Sequence, residues 1–317
     1  MTTLITGGMG FIGLHTARSF LDAGEDVVLT SFQTWREPSF IKDEYQKRVQ
    51  IEKVDITDRD GLMALGKKHK IDRIAHLAVP GLSALGPLED LKTNIAGLTH
   101  VLEAALAWGI TRLTLASSVA VYAGLSAGPF VEDSRLPIDS GNPTETFKKA
   151  WEILGLHFAS RTGLEIIAMR MGGIWGPLYH SMANLPSRLT HAAVKGTDPD
   201  LASGRGGVPC ADDGSDLCYV KDCAQGIQLL TLTEPLRHTI YNIGQGQATT
   251  NGELLAAVKQ AVPGYALALQ DGRSPRWRQD VYMDITRIKA GTGYEPRYTV
   301  ETGMQDYVAW LRAGNAQ

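Results

Sequence analysis

The sequence is short of cysteine, of long apolar runs and of any excess of one charge. Its three cysteines, Cys210, Cys218 and Cys223, are too few and too unevenly spaced for a disulfide framework or a zinc site. They are expected to be buried thiols in a reducing compartment. No stretch approaches the roughly 20 apolar residues that span a bilayer, so no membrane partner is expected. The 31 basic and 34 acidic residues leave a formal net charge of −3 without any Lys/Arg run, which argues against a nucleic-acid partner. Met1 to Thr6 lead straight into a glycine motif, with no basic segment and apolar core of a secretory signal; a cytoplasmic location is expected. There is no internal repeat. A chain of 317 residues with 44% apolar content can bury one large core, or a large domain carrying a smaller lobe.

What is present is an alternation of short apolar runs with amphipathic segments. Leu4–Thr6, Val27–Leu29, Ile51–Val54, Ile74–Leu77, Leu113–Ser117 and Ile166–Met169 predict six strands. They are almost continuously apolar, as strands covered on both faces are. Leu98, Val101, Leu102, Ala105 and Leu106 recur at helical spacing, with Asn94 upstream and Gly109 closing the pattern. A second helix runs from near Thr144 to before Gly163, and Gly196–Asp216 reads as loop. The pattern predicts an α/β fold, a doubly wound parallel Rossmann sheet with a smaller C-terminal substrate-binding lobe.

The strongest single signal is Thr6-Gly7-Gly8-Met9-Gly10-Phe11-Ile12-Gly13. Glycines at 7, 10 and 13 between a strand and a helix allow a tight turn, close approach to a pyrophosphate and close helix–strand packing. The helix N-terminus then offers free N–H groups to the anion. The motif resembles the fingerprint of the extended short-chain dehydrogenase/reductases, the NAD-dependent sugar epimerase/dehydratase family. Further resemblance lies in Val54-Asp55-Ile56-Thr57-Asp58, His76-Leu77-Ala78, Asn94, Leu217 to Ala224, Tyr241-Asn242-Ile243-Gly244 and Gly293-Tyr294-Glu295-Pro296. Together these reach across about nine tenths of the chain.

The resemblance implies a dinucleotide held by Gly7, Gly10, Phe11, Ile12, Gly13, Asp55, Ile56, Leu77, Ala78 and Lys148. At the end of the second strand, where an acidic residue would bind the ribose diol of NAD, this chain has Ser31, and Arg36 lies nearby. A serine does not repel a 2′-phosphate and an arginine attracts one, so the cofactor is NAD or NADP. Arg36 also has the plainer reading of a solvated loop charge. Residues 1–176 and 216–244 are expected to carry the dinucleotide, and 177–215 and 245–317 the substrate.

The family's chemistry uses a serine, a tyrosine and a lysine four residues later. Ser118 matches the serine and Lys148, four before Glu152, matches the lysine, but position 144 is threonine. A phenol with a pKa of about 10 can be lowered towards neutrality; an aliphatic hydroxyl cannot act as an ordinary base. Another residue replaces it (Tyr122, Tyr179, His180 or Glu145), or Thr144 relays a proton, or the usual chemistry is lost. Glu145 and Lys149 also read as a surface i,i+4 ion pair, and Tyr179 and His180 as a loop pair on the substrate lobe. Val119 and Ala120 stand where the family's 4,6-dehydratases carry an acid and a base, and Ala120 where decarboxylating relatives keep a glutamate. Both reactions are therefore disfavoured. Ser215 stands where nucleotide-sugar enzymes often place an arginine; Arg205, Arg276 or Arg278 could supply that charge or be solvated. The expected function is an NAD(P)-dependent epimerase or dehydrogenase of a sugar-like substrate, forming a homodimer. The alternative is a dinucleotide-binding sensor or scaffold.

Overall fold

The computed structural model describes residues 1–79, 85–202 and 207–315. The six expected runs become β1 (Thr2–Thr6), β2 (Asp26–Ser31), β3 (Val49–Lys53), β4 (Arg73–His76), β5 (Arg112–Ser118) and β6 (Glu165–Met171). Short pieces follow: β7 (Gly173–Trp175), β8 (Gly214–Ser215), β9 (Leu217–Tyr219), β10 (Ile240–Ile243) and β11 (Thr249–Thr250). Strand β10, absent from the expected set, completes a seven-stranded sheet of order β10-β6-β5-β4-β1-β2-β3. Every pairing in it is parallel. The order reverses between β1 and β4, the switch point where open parallel sheets leave a crevice beyond their strand C-termini.

Side chains alternate across each strand, and the two faces make two cores. Ile5, Val27 and Leu29 face helices α1 (Phe11–Asp22) and α6 (Val220–Leu232), packing with Leu14, Phe20, Ile227 and Leu230. Leu4 and Val28 face the other way, onto α2 (Arg59–Lys68), α3 (Pro87–Ala107) and α4 (Pro143–Thr162), with Leu62, Leu98, Val101 and Trp151. Each such aliphatic side chain contributes about 1.5–3 kcal/mol by leaving water. A third core joins α5 (Leu185–Lys195), α7 (Asn251–Ala261) and α9 (Val300–Arg312) around Leu189, Leu254, Val258 and Met304. The remaining helix is α8 (Thr286–Thr292). The three cysteines are buried and free. Among the described residues no helix is long and apolar enough to cross a membrane.

Two helix expectations need correction or sharpening. Helix α3 begins at Pro87, so Asn94 is not upstream of it but inside it, buried, with Nδ2 donating to the Asp90 carbonyl and carboxylate. Helix α4 starts where the sequence suggested, because the Asn142 side chain accepts the Glu145 N–H at 3.0 Å. It stops at Gly163, whose φ of 77° lies in the left-handed region that caps helices.

Candidate active site

At the crevice, the turn between β1 and α1 is closed by backbone packing. Gly7 has φ +66°, and a Cβ there would sit 3.0 Å from the Ala78 backbone. A Cβ on Gly13 would lie 2.4 Å from the Gly7 carbonyl oxygen and 2.7 Å from Gly8 Cα. Gly10 precedes α1 without any side-chain cap, and no acid occupies the first turn, so the N–H groups at Phe11 and Ile12 lack a side-chain partner there. The Thr6 hydroxyl accepts the N–H groups of Leu77 and Ala78 at 3.1 and 3.2 Å and meets His76 Nδ1 at 2.7 Å. A hydroxyl accepting twice has one proton left to donate, so it goes to Nδ1 and the His76 proton resides on Nε2. The glycine turn and the Leu77-Ala78 segment are thus joined through Thr6.

The end of β2 is arranged differently from expectation. Ser31 donates to the Thr34 carbonyl at 2.6 Å. Arg36 is not a freely solvated loop charge: its Nη2 meets His180 Nδ1 at 2.9 Å, and Nη1 is buried without a partner. Burial lowers its guanidinium below the usual range. Tyr179 sets its ring edge against Phe11, centroids 5.1 Å apart. Tyr179 and His180 thus form a loop pair that packs against α1 and Arg36. Across the crevice mouth, Asp55 accepts the Thr57 N–H at 2.9 Å. Ile56 packs on α3 at Gly97 and meets His100 Nδ1 with its carbonyl.

The β5–α4 side holds the three candidate catalytic residues. Ser118 ends β5, and its Oγ accepts the Ala120 N–H at 3.1 Å, leaving its own proton to donate elsewhere. Thr144 lies in the first turn of α4, half-buried, and Lys148 follows one turn later on the same face. Lys148 is buried and its Nζ has no hydrogen-bond partner. It lies 4.1 Å from the centroid of the Trp151 ring, which also stacks on His76. Burial pulls its amine down to about 7, against a smaller upward pull from Glu152. Burial, and then Lys148, lower His76 to about 3. Glu152 is committed elsewhere: it accepts Arg170 Nη2 at 2.7 Å and Nε at 3.0 Å, and the Ser117 hydroxyl. That pairing fastens the end of β5 to α4.

Among the candidates to replace the missing phenol, two are already occupied. Tyr122 is buried, donates to Asn242 Oδ1 at 2.8 Å and accepts Arg170 Nη1 at 2.9 Å. Burial raises its phenol further, the wrong direction for a base. Glu145 does pair with Lys149, at 2.8 Å, but the pair is buried and not on the surface. Lys149 also donates to the carbonyls of Pro137 and Asp139, and Glu145 accepts the Gly141 N–H; the pair staples a loop onto α4. Of the three arginines offered to a substrate, Arg205 lies outside the described residues. Arg276 is exposed. Arg278 donates to the Leu125 carbonyl at 2.9 Å and lies over Phe130, so it reaches the loop after Ser118.

Sequence reasoning passed over three groups. Trp151 was detectable as the residue one turn beyond Lys148. The Glu152–Arg170 pair left no local signal, because its partners come from a helix and a later strand. Asp216 accepts the N–H groups of Gln245 and Met283, and burial raises its carboxyl to about 6; it ties the β8–β9 bend to the loop following β10 and to the segment leading into α8.

Comparison with known proteins agrees with this fold. Residues 3–244 match the profile of the NAD dependent epimerase/dehydratase family. The chain is 26% identical to UDP-glucose 4-epimerase 2 of Arabidopsis thaliana, covering 98% of this chain and 94% of that one. It is 27% identical to a dTDP-glucose 4,6-dehydratase of Streptomyces griseus, over 98% and 94%. Among solved structures, the UDP-glucose 4-epimerase of Thermus thermophilus in complex with NAD superposes with a TM-score of 0.79. Identity there is 25%, over 98% of this chain and 99% of that one.

Proposed function

Because this chain belongs to the NAD dependent epimerase/dehydratase family, we propose that it is an NAD(P)-dependent epimerase or dehydrogenase with a non-standard acid–base residue. Its substrate is a secondary alcohol of a sugar or sugar-like molecule. The observation that carries this reading is the buried, unpartnered Lys148 amine, linked through Trp151, His76 and Thr6 to a glycine turn that tolerates no side chain. A buried polar group without a partner costs free energy, and the ribose hydroxyls of a nicotinamide dinucleotide would supply what Lys148 lacks.

The other residues fit that group. Gly7, Gly10, Phe11, Ile12 and Gly13 would receive the pyrophosphate, Asp55 and Ile56 the adenine, and Leu77 and Ala78 would line the β4 side. When bound, the dinucleotide supplies a hydride acceptor and donor. Ser118 would donate its free proton to the reacting oxygen, while Thr144 occupies the position of the usual phenol. The strand end at Ser31 carries no carboxylate and Arg36 has an unpartnered nitrogen, so NAD and NADP both suit the site. Val119 and Ala120 favour epimerisation or dehydrogenation over water loss. Residues 1–176 and 216–244 would carry the dinucleotide and 177–215 and 245–317 the substrate. Exposed Leu88 and Leu91 on α3 and Ile153 and Leu154 on α4 would meet their copies in a homodimer.

Thr144 favours a second reading, a dinucleotide-binding sensor or scaffold without turnover. The test is calorimetric titration with NAD and NADP, followed by a panel of sugar nucleotides and free sugars with nucleotide reduction and product stereochemistry as readouts. Binding with turnover supports the enzyme, binding without turnover the sensor, and no binding defeats both.

A further inference from the structure

The unpartnered amine raises the question of where the proton goes once the phenol is missing. We propose that Lys148 is itself the acid–base residue: its Nζ, not the Thr144 hydroxyl, takes the proton from the substrate alcohol and returns it. This rests on the reading of the site as a nicotinamide-dependent one. In the forward step the carbinol C–H and O–H bonds break and a carbonyl forms. The hydride, with its electron pair, goes to an oxidised nicotinamide dinucleotide, and the proton converts the Lys148 amine to an ammonium. The return step reverses both transfers.

Lys148 lies one helical turn from Thr144 on the same face of α4, so the ionisable group that follows the phenol position along that face is this amine. Its Nζ has no acceptor from the protein holding it as an ammonium, and a ribose hydroxyl can donate to a neutral amine as well as accept from a charged one. The carboxylate one turn further on, Glu152, is consumed by Arg170 and Ser117. The face of Trp151 at 4.1 Å gives a cation only partial compensation. Charged and titratable groups on the surrounding elements are already settled. His76 from β4 is neutral with its proton on Nε2, and Arg170 from β6 stands behind Glu152 and holds the Tyr122 phenol. From α3, Asp90 turns to Asn94. Burial brings the amine to about 7, where a general base is most effective near neutral pH. Thr144 can pass a proton along this face without keeping it.

The experiment uses the full chain with isotope-labelled lysine side chains, followed by NMR across the neutral and alkaline range with and without NAD. The Lys148 resonance is assigned as the one missing from Lys148→Arg. It is expected to titrate near neutrality, well below the other lysines at about 10.4. In parallel, nucleotide reduction by the sugar panel should follow the same ionisation. Lys148→Arg, permanently cationic, should still bind dinucleotide in calorimetry but reduce it at least about 100-fold more slowly. A Lys148 resonance that titrates with the bulk, an arginine variant that keeps the wild-type rate, or a wild type that binds dinucleotide without reducing it overturns the proposal. Failure of the wild type to bind either dinucleotide defeats the underlying reading instead, and the proposal with it.

Discussion

At the glycine end of the site, backbone atoms crowd so closely that a single methyl group at Gly13 would meet the Gly7 carbonyl at 2.4 Å. At the α4 end, reached through Thr6 and His76, Lys148 Nζ, His76 Nε2 and Trp151 Nε1 lie buried without partners. The first region is shaped by steric necessity. The second is held at a free-energy disadvantage that a ligand would relieve. On the proposed reading the difference separates two jobs: the glycine turn would fix where an anion lies, and the Lys148 amine would handle the proton. Strain and unpaired groups gather where function does, and stability is sacrificed there.

The comparison breaks most completely at Gly13. Gly13→Val should cost more than about 4 kcal/mol, since backbone on both sides must move. Denaturant unfolding and dinucleotide calorimetry should show a strongly destabilised chain that no longer binds; wild-type behaviour would mean the turn is not sterically closed.

Acid sharpens it next. His15 and His191, each lowered to about 4 by burial, and His76, lowered to about 3, have folded values below the unfolded one of about 6.5. The unfolded chain then takes up protons that the fold refuses, so this stability is present above about pH 6.5 and lost as pH falls towards 4. The sum is several kcal/mol, on the order of 2–3 for each imidazole. Asp216, raised to about 6, works in the opposite sense, adding stability as pH falls through 6. The urea midpoint should drop between about pH 7 and pH 4.5; a flat profile would show imidazoles charged in the fold.

A smaller and opposite effect is expected at Lys148. Its folded pKa near 7 lies below the unfolded value of about 10.4, so wild-type stability should rise with pH across that window. Lys148→Met removes the orphaned amine and should stabilise the ligand-free protein at neutral pH by about 1–3 kcal/mol, with the slope lost. A variant less stable than wild type would mean that the amine is paired. The smallest effect belongs to Arg36. Arg36→Ala should weaken NADP about tenfold, equivalent to about 1.4 kcal/mol, and leave NAD nearly unchanged; equal losses for both would remove Arg36 from any contact with a 2′-phosphate.

The strands of the large sheet were legible because continuous apolar runs such as Val27–Leu29 and Ile166–Met169 have no other use at that length. Boundaries shifted by no more than two residues. Strand β10 escaped because four residues carry little periodicity. The start of α3 escaped because Gly86 supplies no side-chain cap there and Leu88 and Leu91, though apolar, are exposed. The i,i+4 spacing showed that Glu145 and Lys149 pair, but not that a loop folds over them, since burial depends on residues 137–141. The glycine turn, Ser118 and Lys148 were visible because local motifs carry them. The Arg36–His180 contact, 144 residues apart, and the removal of Tyr122 by Asn242 and Arg170 depend on tertiary placement that no local pattern encodes.

Calorimetric titration of NAD and NADP into the wild type and Lys148→Met is the most direct test. The account predicts one binding site for at least one dinucleotide in the wild type, weakened about tenfold or more when the amine is gone. No heat of binding in the wild type, or equal affinity in the two proteins, would contradict it.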